Sequence, residues 1–182
     1  VTIPLAVHGV VIKKGGEMVN VVIGEDEDDP VISISDLLVH LSAEQLEKTL
    51  AKGIEGENLN ILIGSLPIDD KEEKNRVKRN ILKLLNEKYG IDEEDFVSAE
   101  LEVVPAGKAR DCGFDRSMIM AYGHDDRICA YTSFETMMEI KDTDKTCAAI
   151  FADKEEIGSV GATGMHSKFF ENAVAELMDR CG

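Results

Sequence analysis

The sequence lacks several features that mark common protein classes. It has no tryptophan, 5% aromatic residues and only four cysteines in 182 residues. No two cysteines form a Cys-x-x-Cys pair, which excludes a zinc finger and a thioredoxin-type motif. A chain this long with so few cysteines is not expected to be a secreted disulfide scaffold. We expect all four thiols to be reduced and mostly buried: Cys112, Cys129, Cys147 and Cys181.

Positive charge is scarce as well. The chain has 20 Lys and Arg against 36 Asp and Glu, a formal net charge of −16, and both halves are acidic. Neither half offers the basic patch that nucleic acid or an anionic membrane requires. No apolar run approaches the roughly 18 residues of a membrane-spanning helix, and no signal peptide is visible. We therefore expect a cytoplasmic protein without nucleic-acid or membrane partners.

What the chain does contain is enough apolar residues for a core. They make up 43% of the sequence, which suits one large or two small domains. The chain opens on a strand-like run without an initiator methionine and closes one residue after a helical pattern. We therefore expect it to be an excerpt of a longer protein.

The first half is predicted to be rich in strands, followed by a helix. Its predicted elements are a hairpin with strands at 10–12 and 19–23 around a Gly-Gly turn, a short helix from a capping box at 42–45 to about 52, a strand at 58–65 and a helix at about 70–88. The acidic segment 25–30 is interpreted as a solvated turn, because it lacks the glycine and the ligand spacing of a calcium loop.

The second half is predicted to be a layered α/β arrangement. Its predicted elements are strands at 99–104 and 118–121, a helix at about 127–140, a buried strand at 147–152 and a helix at about 165–180. A domain boundary is expected near residues 97–105, where the strand-rich half gives way to this pattern.

Two acidic stretches lie where ligand sites are expected in such a fold. Residues 123–127 (Gly-His-Asp-Asp-Arg) and 153–159 (Asp-Lys-Glu-Glu-Ile-Gly-Ser) each follow a predicted strand, and ligands bind at the carboxyl ends of strands in open α/β sheets. Clustered carboxylates repel one another unless a cation lies between them, so a divalent metal is one interpretation. The alternative is that these are surface pairs in which Asp126 or Asp153 caps the following segment.

Taken together, these stretches resemble the aspartyl aminopeptidase family of dinuclear zinc metallopeptidases. That family has an Asp-Asn or Asp-Asp pair opening a helix, followed downstream by Asp-x-Glu-Glu-Val/Ile-Gly-Ser. Residues 113–117 resemble the approach to the metal strand, and residues 34–41 (Ile-Ser-Asp-Leu-Leu-Val-His-Leu) resemble a stretch of the family's inserted domain. The resemblance covers nearly the whole chain.

The resemblance implies a fold and an assembly. Residues 1–98 would be an inserted β-rich dimerisation domain, and residues 99–182 the central part of a three-layer α/β catalytic domain. The fold class is thus α/β, with a partial catalytic domain. The resemblance further implies a homodimer formed through the inserted domain, a dodecamer in the full-length protein, and a peptide substrate cleaved at its N-terminal residue, with a preference for Asp or Glu.

The resemblance also assigns roles to individual residues. Asp125 would bridge two zinc ions, with cobalt or manganese as alternative metals, and Glu156 would ligate one of them. Glu155 would be the general base that activates water. His40 would reach into the partner subunit's active site and help to position the substrate.

The family's remaining ligands, a His before the inserted domain and an Asp and a His well after the Glu-Glu pair, have no counterpart in these residues. His8, His124 and His166 are expected to be structural or surface residues. The 182-residue chain alone is therefore expected to bind zinc weakly and not to cleave peptides. Two other hypotheses stay open: a non-catalytic dimerisation or assembly fragment of such an enzyme, and a metal hydrolase acting on another substrate.

Overall fold

A three-stranded antiparallel sheet organises the N-terminal part of the chain. The computed structural model describes residues 3–35, 39–153, 160 and 164–182. Strand β1 (Leu5–Ile12) is the middle strand, paired on one side with β2 (Met18–Ile23) and on the other with β5 (Glu100–Pro105). The predicted hairpin is confirmed: β1 and β2 pair antiparallel, and the Gly16 N–H donates to the Lys13 carbonyl over 2.8 Å in the turn.

Gly9 allows β5 to lie against β1. Its φ is +149°, and a β-carbon built there would lie 1.9 Å from the carbonyl oxygen of Glu100. Both facts disfavour any side chain, because L-residues avoid positive φ and the clash is with backbone that cannot rotate away. The pairing of residues 90 positions apart in the chain therefore depends on this glycine.

The core of this unit is small and is built on the sheet. Val11, Val21 and Ile91 are its buried centre. Helix α2 (Arg76–Tyr89) ends at Gly90, which has φ +63° and the left-handed conformation typical of a helix end. The chain turns there and places Ile91 in the core, and the Tyr89 hydroxyl donates to the Val22 carbonyl over 2.6 Å.

Helix α2 begins later than the predicted residue 70. Side chains of Asp70 and Glu73 accept hydrogen bonds from the backbone N–H groups of Glu72 and Asn75, at 3.0 and 2.9 Å. Such local bonds satisfy the backbone in a turn and compete with helix formation. Residues 70–75 are therefore turns, and the apolar stripe of the helix starts at Val77.

The stretch from 39 to 66 has less regular structure than predicted. Helix α1 is only Ala43–Leu46, and the predicted strand at 58–65 is reduced to β4 (Ile61–Leu62), which pairs with β3 (Ser33–Ile34). Ser42 makes no side-chain cap, because its hydroxyl donates to the Val39 carbonyl instead. Short helices need burial to persist, and Leu50 in this stretch is 99% exposed.

The described residues of the C-terminal part form two helices and a small hairpin. Strands β6 (Arg110–Cys112) and β7 (Met118–Met120) pair antiparallel, followed by α3 (His124–Glu139) and α4 (Phe169–Cys181). These confirm the strand predicted at 118–121 and both predicted helices. By contact density the chain divides into two units, Val1–Ala109 and Arg110–Gly182. The domain limits 1–98 and 99–182 stay predictions.

The buried strand predicted at 147–152 was wrong for this chain. Those residues form no strand, and Ile150 and Phe151 are about half exposed. A strand requires a neighbour to pair with its N–H and carbonyl groups, and no described segment supplies one there. The expectation of buried thiols was wrong too: none of the four cysteines forms a disulfide, and only Cys112 is partly covered. Among the described residues, no helix is long and apolar enough to cross a membrane.

A buried carboxylate fastens the β1–β2 turn to the segment after α2. Asp95 accepts the backbone N–H of Asp92 at 2.9 Å and that of Lys14 at 3.1 Å, one on each oxygen. It lies in the 3₁₀ helix Glu93–Ser98, where it completes a capping box with Asp92. These backbone donors, that of Asp92 first, lower the pKa of Asp95 below its ordinary value, against the opposing effect of burial.

We predict that Gly9→Ala destabilises the first unit, because the β-carbon collides with the Glu100 carbonyl and the residue must hold a positive φ. An ordinary Gly-to-Ala exchange changes the free energy of unfolding by roughly 1 kcal/mol or less. The loss for Gly9→Ala should be larger than this. Urea unfolding followed by circular dichroism measures it. Gly15→Ala is the matched control, since nothing lies within 4 Å of its added carbon. Equal midpoints for the two variants would contradict the role given to Gly9.

The lowered pKa of Asp95 predicts a pH-dependent contribution to stability. A carboxyl with a depressed folded-state pKa stabilises the fold above its unfolded value, and that stabilisation is lost as pH falls through the folded value. Asp95→Asn should therefore unfold at lower urea than the unmodified chain near neutral pH, and the difference should shrink below about pH 3. Asp28→Asn, at an exposed position, is the control; a pH-independent difference for Asp95→Asn would contradict the prediction.

Candidate metal centre

The Asp125–Asp126 pair lies at the start of α3, directly after the turn that follows β7. Gly123, with φ +79°, precedes the helix. Asp125 (φ −87°, ψ 106°) and Asp126 (φ −124°, ψ 31°) depart from helical geometry, and the peptide bond between them is cis. Regular helix follows from residue 127, which is where the sequence predicted it to start. The pair is thus carried by the non-helical start of α3 and not by its regular part.

The two aspartates lie in different surroundings. Asp125 is exposed, whereas Asp126 is partly buried. The Oδ1 atom of Asp126 has no access to solvent and, among the described residues, no hydrogen-bond partner. Buried carboxylate oxygens without a donor are rare because the desolvation penalty is not offset. Asp125 is therefore the member of the pair that is open to a ligand.

Two neighbouring side chains fold back onto the backbone that precedes the pair. The Nε2 of His124 lies 3.0 Å from the Ile119 carbonyl, and Nη1 of Arg127 donates to the Tyr122 carbonyl over 2.6 Å. Since a carbonyl only accepts, Nε2 of His124 carries the hydrogen. The sequence did not predict these contacts. It showed only that His124 and Arg127 are next to the two aspartates in the chain.

The other predicted site residues are placed as follows. Glu155 and Glu156 lie outside the described residues, so their roles stay predictions. His40 is exposed in the 3₁₀ helix Val39–Leu41 of the first unit. His8 is engaged with Glu25, at 2.8 Å between Nε2 and Oε1.

The described residues do not make a complete metal site. No group of three or more His, Cys, Asp or Glu among them could hold an ion. A cleft of about 380 Å³ lies between α3 and residues 148–150, but the described residues that line it include no metal-ligating side chain. The exposed Asp125 carboxylate nevertheless fits zinc as one ligand of a set, because zinc takes carboxylate oxygens alongside nitrogen donors.

Comparison with known proteins identifies the family. The family model described as aminopeptidase I zinc metalloprotease (M18) matches residues 2–181. The chain belongs to the M18 family of zinc metalloproteases. The resemblance stated from the sequence motifs is thereby confirmed at the level of the family.

Individual M18 relatives are similar along the whole chain. The probable M18 family aminopeptidase 1 of Clostridium acetobutylicum is 69% identical over 182 residues, which are 100% of this chain and 39% of the relative. That of Thermotoga maritima is 47% identical over 181 residues, again 100% of this chain and 39% of the relative. The chain thus spans about two-fifths of the length of these relatives.

Solved M18 structures share the fold. The crystal structure of aminopeptidase I from C. acetobutylicum superposes with a TM-score of 0.79 at 69% identity, covering 98% of this chain and 39% of that one. The M18 aminopeptidase from T. maritima gives a TM-score of 0.82 at 47% identity, covering 99% and 39%. The predicted mixed α/β fold class is confirmed.

Proposed function

We propose that this chain is part of a zinc-dependent aminopeptidase that removes the N-terminal residue of peptides, with a preference for Asp and Glu. The observation that carries the proposal is the M18 match over residues 2–181, within which an exposed Asp125 lies in the non-helical start of helix α3. The chain's share of its relatives' length, about 39%, is why the activity is assigned to the gene's full-length product.

In this proposal each carboxylate has one task. Asp125 would hold zinc as the ligand common to both ions, and Glu156 would supply a further ligand. Glu155 accepts a proton from the attacking water on its carboxylate and passes it to the nitrogen of the leaving peptide. Two zinc ions, when bound, would supply Lewis acidity at the scissile carbonyl; cobalt or manganese could serve in their place. The described residues contribute Asp125 to this set.

The preference for acidic N-termini requires a cation in the substrate pocket. Four candidates are Lys108, Arg110, Arg127 and Lys168. Of these, Arg127 is held at the Tyr122 carbonyl, and Lys168 is paired with Glu171 at 2.6 Å. Lys108 and Arg110 are exposed and are the better candidates for an unshared positive charge. The net charge of −16 does not attract acidic peptides, so the preference must be local.

We further propose that the full-length protein is a homodimer built through the first unit, and a dodecamer in its complete assembly. Support comes from the stretch 39–66, where large apolar side chains are exposed. They include Val39, Leu41, Leu46, Leu50, Ile54, Leu62 and Leu66. Contiguous exposed apolar surface is typical of a protein interface. His40 lies within this stretch, which agrees with its proposed reach into the partner subunit's active site.

We also propose a cytoplasmic location, with which the absence of disulfides among the four cysteines agrees.

The alternative function is a dimerisation or assembly fragment of such an enzyme, without catalysis of its own. It is favoured by the lack of a metal cluster among the described residues. The two functions differ in whether these residues work within a longer protein that binds zinc and cleaves peptides.

The catalytic proposal is tested with Glu155→Gln in the full-length product. We expect kcat on Asp- and Glu-anilides to fall by about 10²–10⁴-fold, the usual contribution of a general base, with zinc content unchanged. Glu139→Gln, at an exposed position on α3, is the matched control. Full activity of Glu155→Gln would refute the assigned base.

The preference for acidic N-termini is tested with the unmodified enzyme. It should cleave the Asp- and Glu-anilides faster than Leu-anilide, and equal rates would exclude that preference.

The assembly proposal is tested with Leu50→Asp, which places a charge at the most exposed leucine of the stretch 39–66. We expect the variant to shift from dimer or larger assembly toward monomer in light scattering, because burying an unpaired carboxylate at an interface is costly. Leu50→Met keeps the apolar surface and should assemble like the unmodified protein. An unchanged mass for Leu50→Asp would exclude this leucine from the interface.

A further inference from the structure

We propose that His124 and Arg127, the residues on either side of the Asp125–Asp126 pair, are positioning residues that fix the direction in which Asp125 presents its carboxylate. The inference rests on the proposed function, because it gives these two side chains a task at the same site. It concerns residues that neither ligate the metal nor take part in proton transfer.

The backbone of the pair is poorly held by the helix itself. Both aspartates lack helical dihedral angles. The bond from the Arg127 N–H to the Gly123 carbonyl, which closes the turn around them, is long at 3.4 Å. A ligand carried on such a turn needs other contacts to keep its orientation.

Arg127 supplies one of these contacts from the C-terminal side. Its Nη1 donates to the Tyr122 carbonyl over 2.6 Å. The guanidinium group lies across Gly123: a β-carbon on that glycine would be 2.7 Å from Nη1 and 3.1 Å from Cζ. Gly123 therefore provides the room in which the guanidinium is seated, and its positive φ of +79° turns the chain into the pair.

His124 supplies the matching contact from the N-terminal side. Its Nε2 donates to the Ile119 carbonyl over 3.0 Å, in the middle of strand β7. The imidazole and the guanidinium thus fasten the turn at two points, and the aspartates lie between them.

The two carboxylates of the pair face different surroundings. Asp126 is partly buried and its Oδ1 is shielded from solvent, whereas Asp125 is exposed. With Asp126 turned inward and the turn held at both ends, the exposed Asp125 is kept in one orientation. Residues that orient a metal ligand typically change metal affinity or activity when replaced.

The experiment uses the apo and zinc-loaded full-length product with Arg127→Met, Arg127→Lys and His124→Phe. We expect Arg127→Met and His124→Phe to lower zinc affinity, measured by chelator competition, and kcat by about 10- to 100-fold. The fall in kcat should be equal for acidic and neutral anilides, with KM little changed. The absorption spectrum of the cobalt-loaded form should shift. Arg127→Lys should recover part of the loss, because its ammonium can still donate to the Tyr122 carbonyl.

Arg180→Met is the matched control, since Arg180 is an exposed arginine paired with Glu176 on α4; it should behave as the unmodified enzyme. Thermal unfolding of the apo forms checks folding, and if Arg127→Met is unfolded, Arg127→Lys and His124→Phe decide the outcome. Unaltered zinc affinity and cobalt spectrum in the folded variants would overturn the proposal. So would a rise in KM confined to acidic substrates, which would make Arg127 a substrate-binding residue. If the unmodified enzyme shows no zinc-dependent cleavage, the proposed function fails instead.

Discussion

The pairing of β1 with strands on both of its edges is the constraint on which the first unit depends. β2 is joined to it by a short turn, but β5 returns from nearly a hundred residues later. That return is possible only because Gly9 leaves space for the Glu100 carbonyl. Between β2 and β5 the described chain returns to this sheet at Ile32, which bridges Leu5 of β1, and again where Tyr89 and Ile91, at the end of α2 and just after it, pack on the core around Val11.

The second unit depends on a different principle, the shape of one turn. Its helices expose much of their apolar surface, as Ile128, Tyr131 and Leu177 illustrate, and its described residues include no buried side chain. At the start of α3, hydrogen bonds from side chains to backbone carbonyls flank two aspartates in a non-helical conformation. The orientation proposed for Asp125 depends on these local bonds.

Local patterns predicted the elements that local interactions hold together. The hairpin follows from two apolar runs around Gly15 and Gly16, and α2 follows from its apolar stripe and the glycine at its end. Prediction was wrong where an element needs distant partners: residues 147–152 have the composition of a buried strand, yet no described strand pairs with them. It was also wrong at Ser42, whose hydroxyl had an alternative acceptor in the Val39 carbonyl. For the site, the sequence motif made Asp125 a candidate metal ligand. The hydrogen bond of Arg127 depends on the direction of its side chain, which residue spacing does not predict.

The sequence by itself determined the family, the acidic character and the identity of the metal-ligand candidates, because these depend on residue types and their order. Only the tertiary structure decided that Gly9 is the contact point of two strands, that Asp125 is exposed while Asp126 is partly buried, and that His124 and Arg127 turn back onto the strand before them. The physical reason is that these properties belong to distances between groups. Such distances are set by backbone angles and by competition among hydrogen-bond partners. The spacing of residues along the chain predicts neither of these.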